Sequence, residues 1–365
     1  MDIFLTKSQF FNKITLKGSF DMIDEKDIKK LREENDLCDE KLKEILETDI
    51  YDEQLFLNAD EVRREQYSNK VFIRGLIEFT NYCRNNCYYC GIRRSNSSCH
   101  RYRLSKQEIL DCCKEGYELG FRTFVLQGGE DAYFTDDVLC SIISEIRNEY
   151  KDCAITLSVG ERSKESYQKY FDAGANRFLL RHETANEEHY NKLHPEELTP
   201  ENRKKCLFDL KEIGYQVGSG FMVGSPYQTT ENIIEDIRFL QKLQPHMIGI
   251  GPFIKHSQTP FRDFESGNFK LTLRLISILR LIFPKALIPA TTALGTITFG
   301  GREMGLKAGA NVVMPNLSPQ KNRKKYEIYE NKLYSGDESA QSLKNLSESI
   351  KSIGYEIVVD IGNAK

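Results

Sequence analysis

The chain has little that points to nucleic acid, membrane or export. Lysine plus arginine number 51 and aspartate plus glutamate 54, so the formal net charge is only −3. Without a basic field nothing draws in a phosphate backbone, and no nucleic-acid partner is expected. No apolar run is long enough to cross a bilayer. The opening stretch, MDIFLTKSQFFNKITLKGSF, has no apolar core of the kind an export signal carries. These absences predict no membrane partner and a cytoplasmic location. Linkers, low-complexity tracts and repeats beyond the strand–helix unit described below are also missing. What is there is a 365-residue chain, 40% hydrophobic and 29% charged, of globular composition.

Cysteine is plentiful, at ten residues. A long chain with no export signal is not expected to be a disulfide scaffold, so these thiols are read as reduced. Cys140, Cys153 and Cys206 read as small core residues, and the adjacent Cys112 and Cys113 as helix packing.

From about residue 70 a short apolar run alternates with a helical stretch, often closed by a glycine. The expected strands are VFIRGLIEFT, RTFVLQGG, AITLSVG, NRFLLRHE, QVGSGFMVG, HMIGIGPFI, ALIPATTAL and NVVMPNL. Ser105 and Glu108 form a capping box, Thr199–Pro200 a helix start, and Gly120, Gly174, Gly214 and Gly309 helix stops. Eight strand–helix units predict an α/β fold, a (β/α)8 TIM barrel over residues 70–316, rather than a doubly wound open sheet. Residues 1–69 read as a charged helical extension covering the barrel's N-terminal side, and 317–365 as a helical tail completing the domain.

The stretch NYCRNNCYYCGIRR sets Cys83, Cys87 and Cys90 just after the first strand, in a loop at the barrel's C-terminal mouth. A structural zinc ion usually wants four ligands in two close pairs. The second pair is missing here, and Cys99 with His100 fits no zinc spacing well. A cubane iron–sulfur cluster also has four corners, and three thiolates leave one iron open for another ligand. The CxxxCxxC spacing, with Tyr89 before the last cysteine, resembles the radical S-adenosylmethionine family. The resemblance implies a [4Fe–4S] cluster on Cys83, Cys87 and Cys90 whose open iron chelates the amino and carboxylate groups of S-adenosylmethionine. It also implies that an electron from the cluster breaks a carbon–sulfur bond to release a 5′-deoxyadenosyl radical.

Other strand ends carry polar groups. LQGGED ends the second strand, with Gly128 and Gly129 allowing close backbone approach and Glu130 able to accept from an ammonium. In RFLLRHE, alternation puts Arg177, Leu179, Arg181 and Glu183 on one face. That face is either an anion-holding wall or a self-satisfied Arg–Glu ladder. Arg203 follows on the next helix within reach of a carboxylate. Arg74 with Glu78, Thr156 with Ser158, and Thr291 with Thr292 add polar groups to other strands. Gly218, Gly220 and Gly224 leave flat access along the fifth strand, with Phe221 or Met222 as apolar contacts or core. His182, His189 and His194 read as ordinary polar residues.

Several longer stretches are similar to one group within that family, the [FeFe]-hydrogenase maturases called HydE. They are IEFTNYCRNNCYYCGIRRSN, VLQGGEDAYF, RFLLRHETAN, GFMVGSPYQT, PATTALGT and VVMPNLSPQKNRKKYEIY, spread from residue 77 to 329. The similarity implies action on an iron–carbonyl–cyanide–cysteine species during assembly of the hydrogenase two-iron subcluster. Its implied partners are a HydG-type tyrosine lyase, a HydF-type scaffold GTPase and a ferredoxin or flavodoxin. Carried onto this chain, it implies that Tyr89, Gly129, Glu130, Arg181, Glu183, Arg203 and Met222 serve S-adenosylmethionine. Arg74, Gln127, Thr156, Arg177, Thr291, Thr292, Tyr326 and Tyr329 would line the substrate cavity. The chain departs from the pattern twice. Some members hold a peripheral cluster with cysteines soon after the YEIY segment; YENKLYSGDESAQSLKNL has none, so no second cluster is expected. Gly128 stands where the family often has serine. The alternatives are a radical enzyme acting on an amino acid derivative, methylornithine-synthase-like or biotin-synthase-like, and a zinc-stabilised binding protein.

Overall fold

The computed structural model describes residues 25–333 and 340–365. Residues 1–24, which include the stretch read above for an export signal, and residues 334–339 lie outside the described residues. Helices α1 (Glu25–Glu34), α2 (Asp39–Glu47) and α3 (Asp52–Tyr67) come first. The first barrel strand follows as β1 (Lys70–Ile73) and β2 (Gly75–Thr80), interrupted at Arg74. The chain then alternates through α4 (Lys106–Glu118), β3 (Thr123–Gly128), α5 (Asp136–Glu149), β4 (Ala154–Ser158), α6 (Lys164–Asp172) and β5 (Arg177–Leu179). Next come α7 (Glu187–Leu193), α8 (Pro200–Ile213), β6 (Gln216–Ser219), β7 (Met222–Val223), α9 (Thr230–Leu243), β8 (Met247–Ile248) and β9 (Gly251–Pro252). Helices α10 (Phe269–Ile282), α11 (Thr292–Ile297) and α12 (Gly301–Lys307) precede β10 (Val312–Val313). Short α13 (Gln320–Arg323), α14 (Leu343–Ser352) and β11 (Glu356–Val358) end the chain.

Strands β2, β3, β4, β5, β6 and β8 form one sheet in that order, every neighbour parallel. The remaining gap closes through single bridges. Met247 pairs with Leu287, Pro289 with Val312, and β10 pairs with β1 at Phe72–Val312. The ring is therefore a TIM-type barrel, as the eight alternations predict. Its seventh strand, expected in ALIPATTAL, is reduced to these bridges. Pro289 brings no N–H to a ladder, which keeps the pairing short.

The predicted boundaries have visible causes. Ser105 and Glu108 exchange both capping-box hydrogen bonds at the start of α4. Gly214 ends α8 at φ +107°, where a Cβ would be strained. The N-terminal helices pack on the outer helices, α2 on α9 and α1 and α3 on α10. The C-terminal tail divides. Residues 324–333 cross the mouth, while β11 extends β1 and carries residues 361–363 under the opposite end. Among the described residues, no helix is long and apolar enough to cross a membrane.

Candidate active site at the barrel mouth

The loop after β2 has no regular structure, and its shape is set by polar side chains. The Asn81 side-chain amide donates to the carbonyls of His100 (3.0 Å) and Lys325 (2.8 Å), and its oxygen accepts from the Tyr102 amide (2.7 Å). Arg101 donates to the carbonyls of Asn81, Ile92 and Arg93. On the other side lies Gly129. A Cβ there would meet the Tyr82 carbonyl oxygen at 2.2 Å and the Cys83 Cβ at 2.7 Å, so only glycine lets the end of β3 lie against this loop.

Cys83, Cys87 and Cys90 are half-buried free thiols. Loss of water, and the other thiols nearby, push Cys90 well up and Cys87 up to about 12. Three such groups hold the thiolate form only beside strong positive charge, which an iron–sulfur cluster supplies. Among the described residues, no three His, Cys, Asp or Glu side chains converge on a single metal ion.

The Tyr89 hydroxyl lies 3.1 Å from His194 Nε2. The His194 Nδ1 proton is donated to the Tyr190 carbonyl (3.0 Å), and burial lowers the imidazole to about 3. In the neutral ring Nε2 is then an acceptor, so Tyr89 donates. The reading of His194 as an ordinary polar residue missed this; it is buried and holds Tyr89 in place. Met222 packs with Leu193, Phe253 and Phe261 in a small cluster against Tyr88 and Tyr89.

A chain of charges joins the strand ends. Glu130 is buried, and its carboxylate accepts from Arg84 Nε (3.0 Å) and the Glu161 amide (2.9 Å). Glu161 in turn pairs with Arg203, Nε to Oε1 2.7 Å, and accepts from the Asn202 side chain. Sequence reasoning passed over Arg84 and Glu161. The signal was available, because Glu161 in SVGER follows the end of its strand as Glu130 follows the end of the one before.

Arg181 and Glu183 form an ion pair, Nη2 to Oε2 3.0 Å, yet among the described residues Arg181 Nε has no hydrogen-bond partner. Glu183 sits at φ +66°, outside the usual range for a side-chain-bearing residue. Its amide donates to the Gly220 carbonyl (3.1 Å), which ties the turn after β5 to the link between β6 and β7. The neighbouring His182 points away, bonded to Ser219 (2.9 Å) and Asp236 (3.2 Å).

Inside the barrel, Arg74 is buried; among the described residues its Nε and Nη2 have no partner and its Nη1 meets the Met247 sulfur at 2.9 Å. Thr156 Oγ1 and Thr291 Oγ1 are also buried without partners. Gln127 Nε2 lies 3.5 Å from the Tyr326 hydroxyl. Thr292 opens α11 behind Thr291, and Tyr329 is half-buried in the segment that crosses the mouth. Arg177 is the register partner of Thr156 but turns its guanidinium away from the mouth. It begins β5 at the far end of the barrel and donates to the carbonyls of Ile361 (2.8 Å) and Gly362 (3.1 Å) and to Asn363 Oδ1 (2.7 Å). Alternation fixes a residue's face and not its height, so Arg177 belongs to the floor.

Residues 77–240 match the Radical SAM superfamily. The chain is 44% identical over 86% of its length to the [FeFe] hydrogenase maturase subunit HydE of Thermotoga maritima, covering 90% of that protein. It is 31% identical over 88% of its length to 3-methylornithine synthase of Methanosarcina acetivorans, covering 90% of it. The crystal structure of methylornithine synthase (PylB) superposes with a TM-score of 0.82 at 29% identity, over 91% of this chain and 97% of that one. HydG, a maturase of the [FeFe]-hydrogenase, shares the fold at a TM-score of 0.76 and 19% identity, over 92% of this chain and 77% of that one. The cysteine loop at the mouth of a parallel barrel and the 44% identity along that whole barrel agree: the chain belongs to the HydE family of the radical S-adenosylmethionine enzymes.

Proposed function

We propose that this chain cleaves S-adenosylmethionine at a [4Fe–4S] cluster held by Cys83, Cys87 and Cys90, and acts on an iron–carbonyl–cyanide–cysteine complex during assembly of the two-iron subcluster of [FeFe]-hydrogenase. The observation that carries this is the identity with the Thermotoga maritima protein, 44% over 86% of the chain. When bound, the cluster and its ligand supply one-electron cleavage of a carbon–sulfur bond. The chain's own residues bind, orient and exclude water. Gly129 brings backbone close to the cysteine loop, and Glu130, Glu183, Arg181 and Arg203 offer charges for the amino and carboxylate groups. Tyr89 and Met222 provide apolar contact. The unpartnered N–H groups of Arg74, with Thr156 and Thr291, suit an anionic substrate, and Gln127, Thr292, Tyr326 and Tyr329 stand nearer the mouth. Arg177 closes the floor beneath them.

A HydG-type lyase as source of the iron complex, a HydF-type GTPase as acceptor and a ferredoxin or flavodoxin as electron donor belong to the same proposal. So do a single cluster per chain and a cytoplasmic location. The test is an anaerobic maturation assay with apo-hydrogenase, the other two maturases and S-adenosylmethionine. Hydrogen evolution that requires this chain and fails with Cys87→Ser is expected. If S-adenosylmethionine is still cleaved but no hydrogenase matures, the substrate is organic, as in the methylornithine synthases.

A further inference from the structure

The segment after α13 crosses the barrel mouth, and one buried ion pair fastens it. The Gly91 amide, next to the last cysteine, donates to the Ile328 carbonyl (2.8 Å), and the Glu330 amide donates to Lys255 (3.0 Å). The Leu333 amide reaches Thr296 Oγ1 at 3.4 Å. Between these points Lys332 turns inward. Its Nζ donates to Glu78 Oε1 and to the Tyr326 carbonyl (3.2 Å), and lies 5.0 Å from the Tyr326 ring centre. Glu78 sits on β2 with no exposed surface, and its other oxygen accepts from Asn316 at 2.8 Å. Its register partner on β3 is Gln127, the residue that meets the Tyr326 hydroxyl.

Burying two charges is expensive, and apolar residues of the same volume pack as well or better. What the ion pair supplies is direction. An ammonium shared between a strand carboxylate and the Tyr326 carbonyl holds that tyrosine at one height above Gln127. We propose that Lys332 and Glu78 are positioning residues that set Tyr326 over the barrel mouth, and so control how tightly the substrate is held. This rests on the reading of the barrel interior as the substrate cavity.

The test uses full-length reconstituted protein in three forms: wild type, Lys332→Arg, and the double variant Glu78→Gln with Lys332→Met. The double variant leaves no lone buried charge, so it folds, and iron content per chain checks this. Steady-state kinetics are measured with the iron–cysteine complex, and limited proteolysis reports cutting within residues 326–333. A rise in KM of about tenfold or more in the double variant, with a much smaller change in kcat, is expected. Lys332→Arg should lie between. Wild-type KM in the double variant means the charges merely balance each other and overturns the proposal. If wild-type protein itself ignores the iron complex, the functional reading fails, and proteolysis decides alone. Cutting about tenfold faster in the double variant supports the pin, and equal cutting overturns it.

Discussion

Glu161 Oε1 stands 2.7 Å from Arg203 Nε, and both side chains are buried. The same residue donates its amide to Glu130 Oε1 at 2.9 Å. One glutamate therefore ties the end of β4 to the end of β3 and to α8. The surrounding acids and tyrosines keep Arg203 charged against its own burial, which alone acts to lower its pKa. Glu161→Gln keeps the volume and removes the charge. Leaving a guanidinium buried without its partner costs about 3 kcal/mol. Thermal unfolding of the cluster-free variant should show that loss, and affinity for S-adenosylmethionine should fall at least about tenfold as Arg203 shifts. Unchanged affinity would mean that Arg203 is oriented by its other neighbours.

The Tyr89–His194 contact gives the fold an acid sensitivity with a defined sign. Burial, reinforced by the nearby Arg203, lowers His194 from 6.5 to about 3. The unfolded chain therefore binds a proton between those values that the folded chain does not. Stability is full above about pH 6.5 and is lost as pH falls through the window below it. Between pH 7 and pH 5 this histidine should account for about 2 kcal/mol of destabilisation. His194→Gln retains an acceptor for Tyr89 and a donor for Tyr190 without titrating. Its thermal midpoint should drop a few degrees less than that of the wild type over the same pH interval. Equal drops would place the acid sensitivity in other groups.

The floor of the barrel was the least legible part of the sequence, for a physical reason. The cysteine spacing, the strand–helix alternation, the capping box at Ser105 and the glycine at 214 are local signals, and each appears where local chemistry puts it. Arg177 also fell on the predicted face, yet its height along the barrel depends on which partner reaches it. That partner is the last turn of a tail nearly two hundred residues away in sequence. Lys332 was hidden in the same manner, in the tail that reads from sequence only as helical, with no chemistry assigned to it. Removing residues 361–365 should leave Arg177 without its carbonyl acceptors at 2.8 and 3.1 Å. A loss of about 2–4 kcal/mol is expected, with iron content unchanged. Urea unfolding monitored by circular dichroism checks the first, and iron analysis the second. An unchanged midpoint would mean that water replaces the tail.

Arg74 and Arg177 differ in what they have been given. Burial, and to a lesser degree Arg177, holds Arg74 well below the usual arginine range. Its Nε and Nη2 meet no acceptor. A buried guanidinium in that state is a liability to the fold unless an anion arrives to meet it. Stability and function should therefore separate at this residue. Arg74→Met fills a similar volume next to Met247 and removes the unpaired charge, so the cluster-free chain should gain about 1–3 kcal/mol. The same variant should bind the anionic iron–cysteine complex at least about tenfold more weakly, because the charge-assisted hydrogen bonds are gone. Thermal unfolding and substrate titration of the same preparation check both halves. If Arg74→Met lost stability instead, the guanidinium would be a structural element of the barrel and the anion would have to be held by other groups.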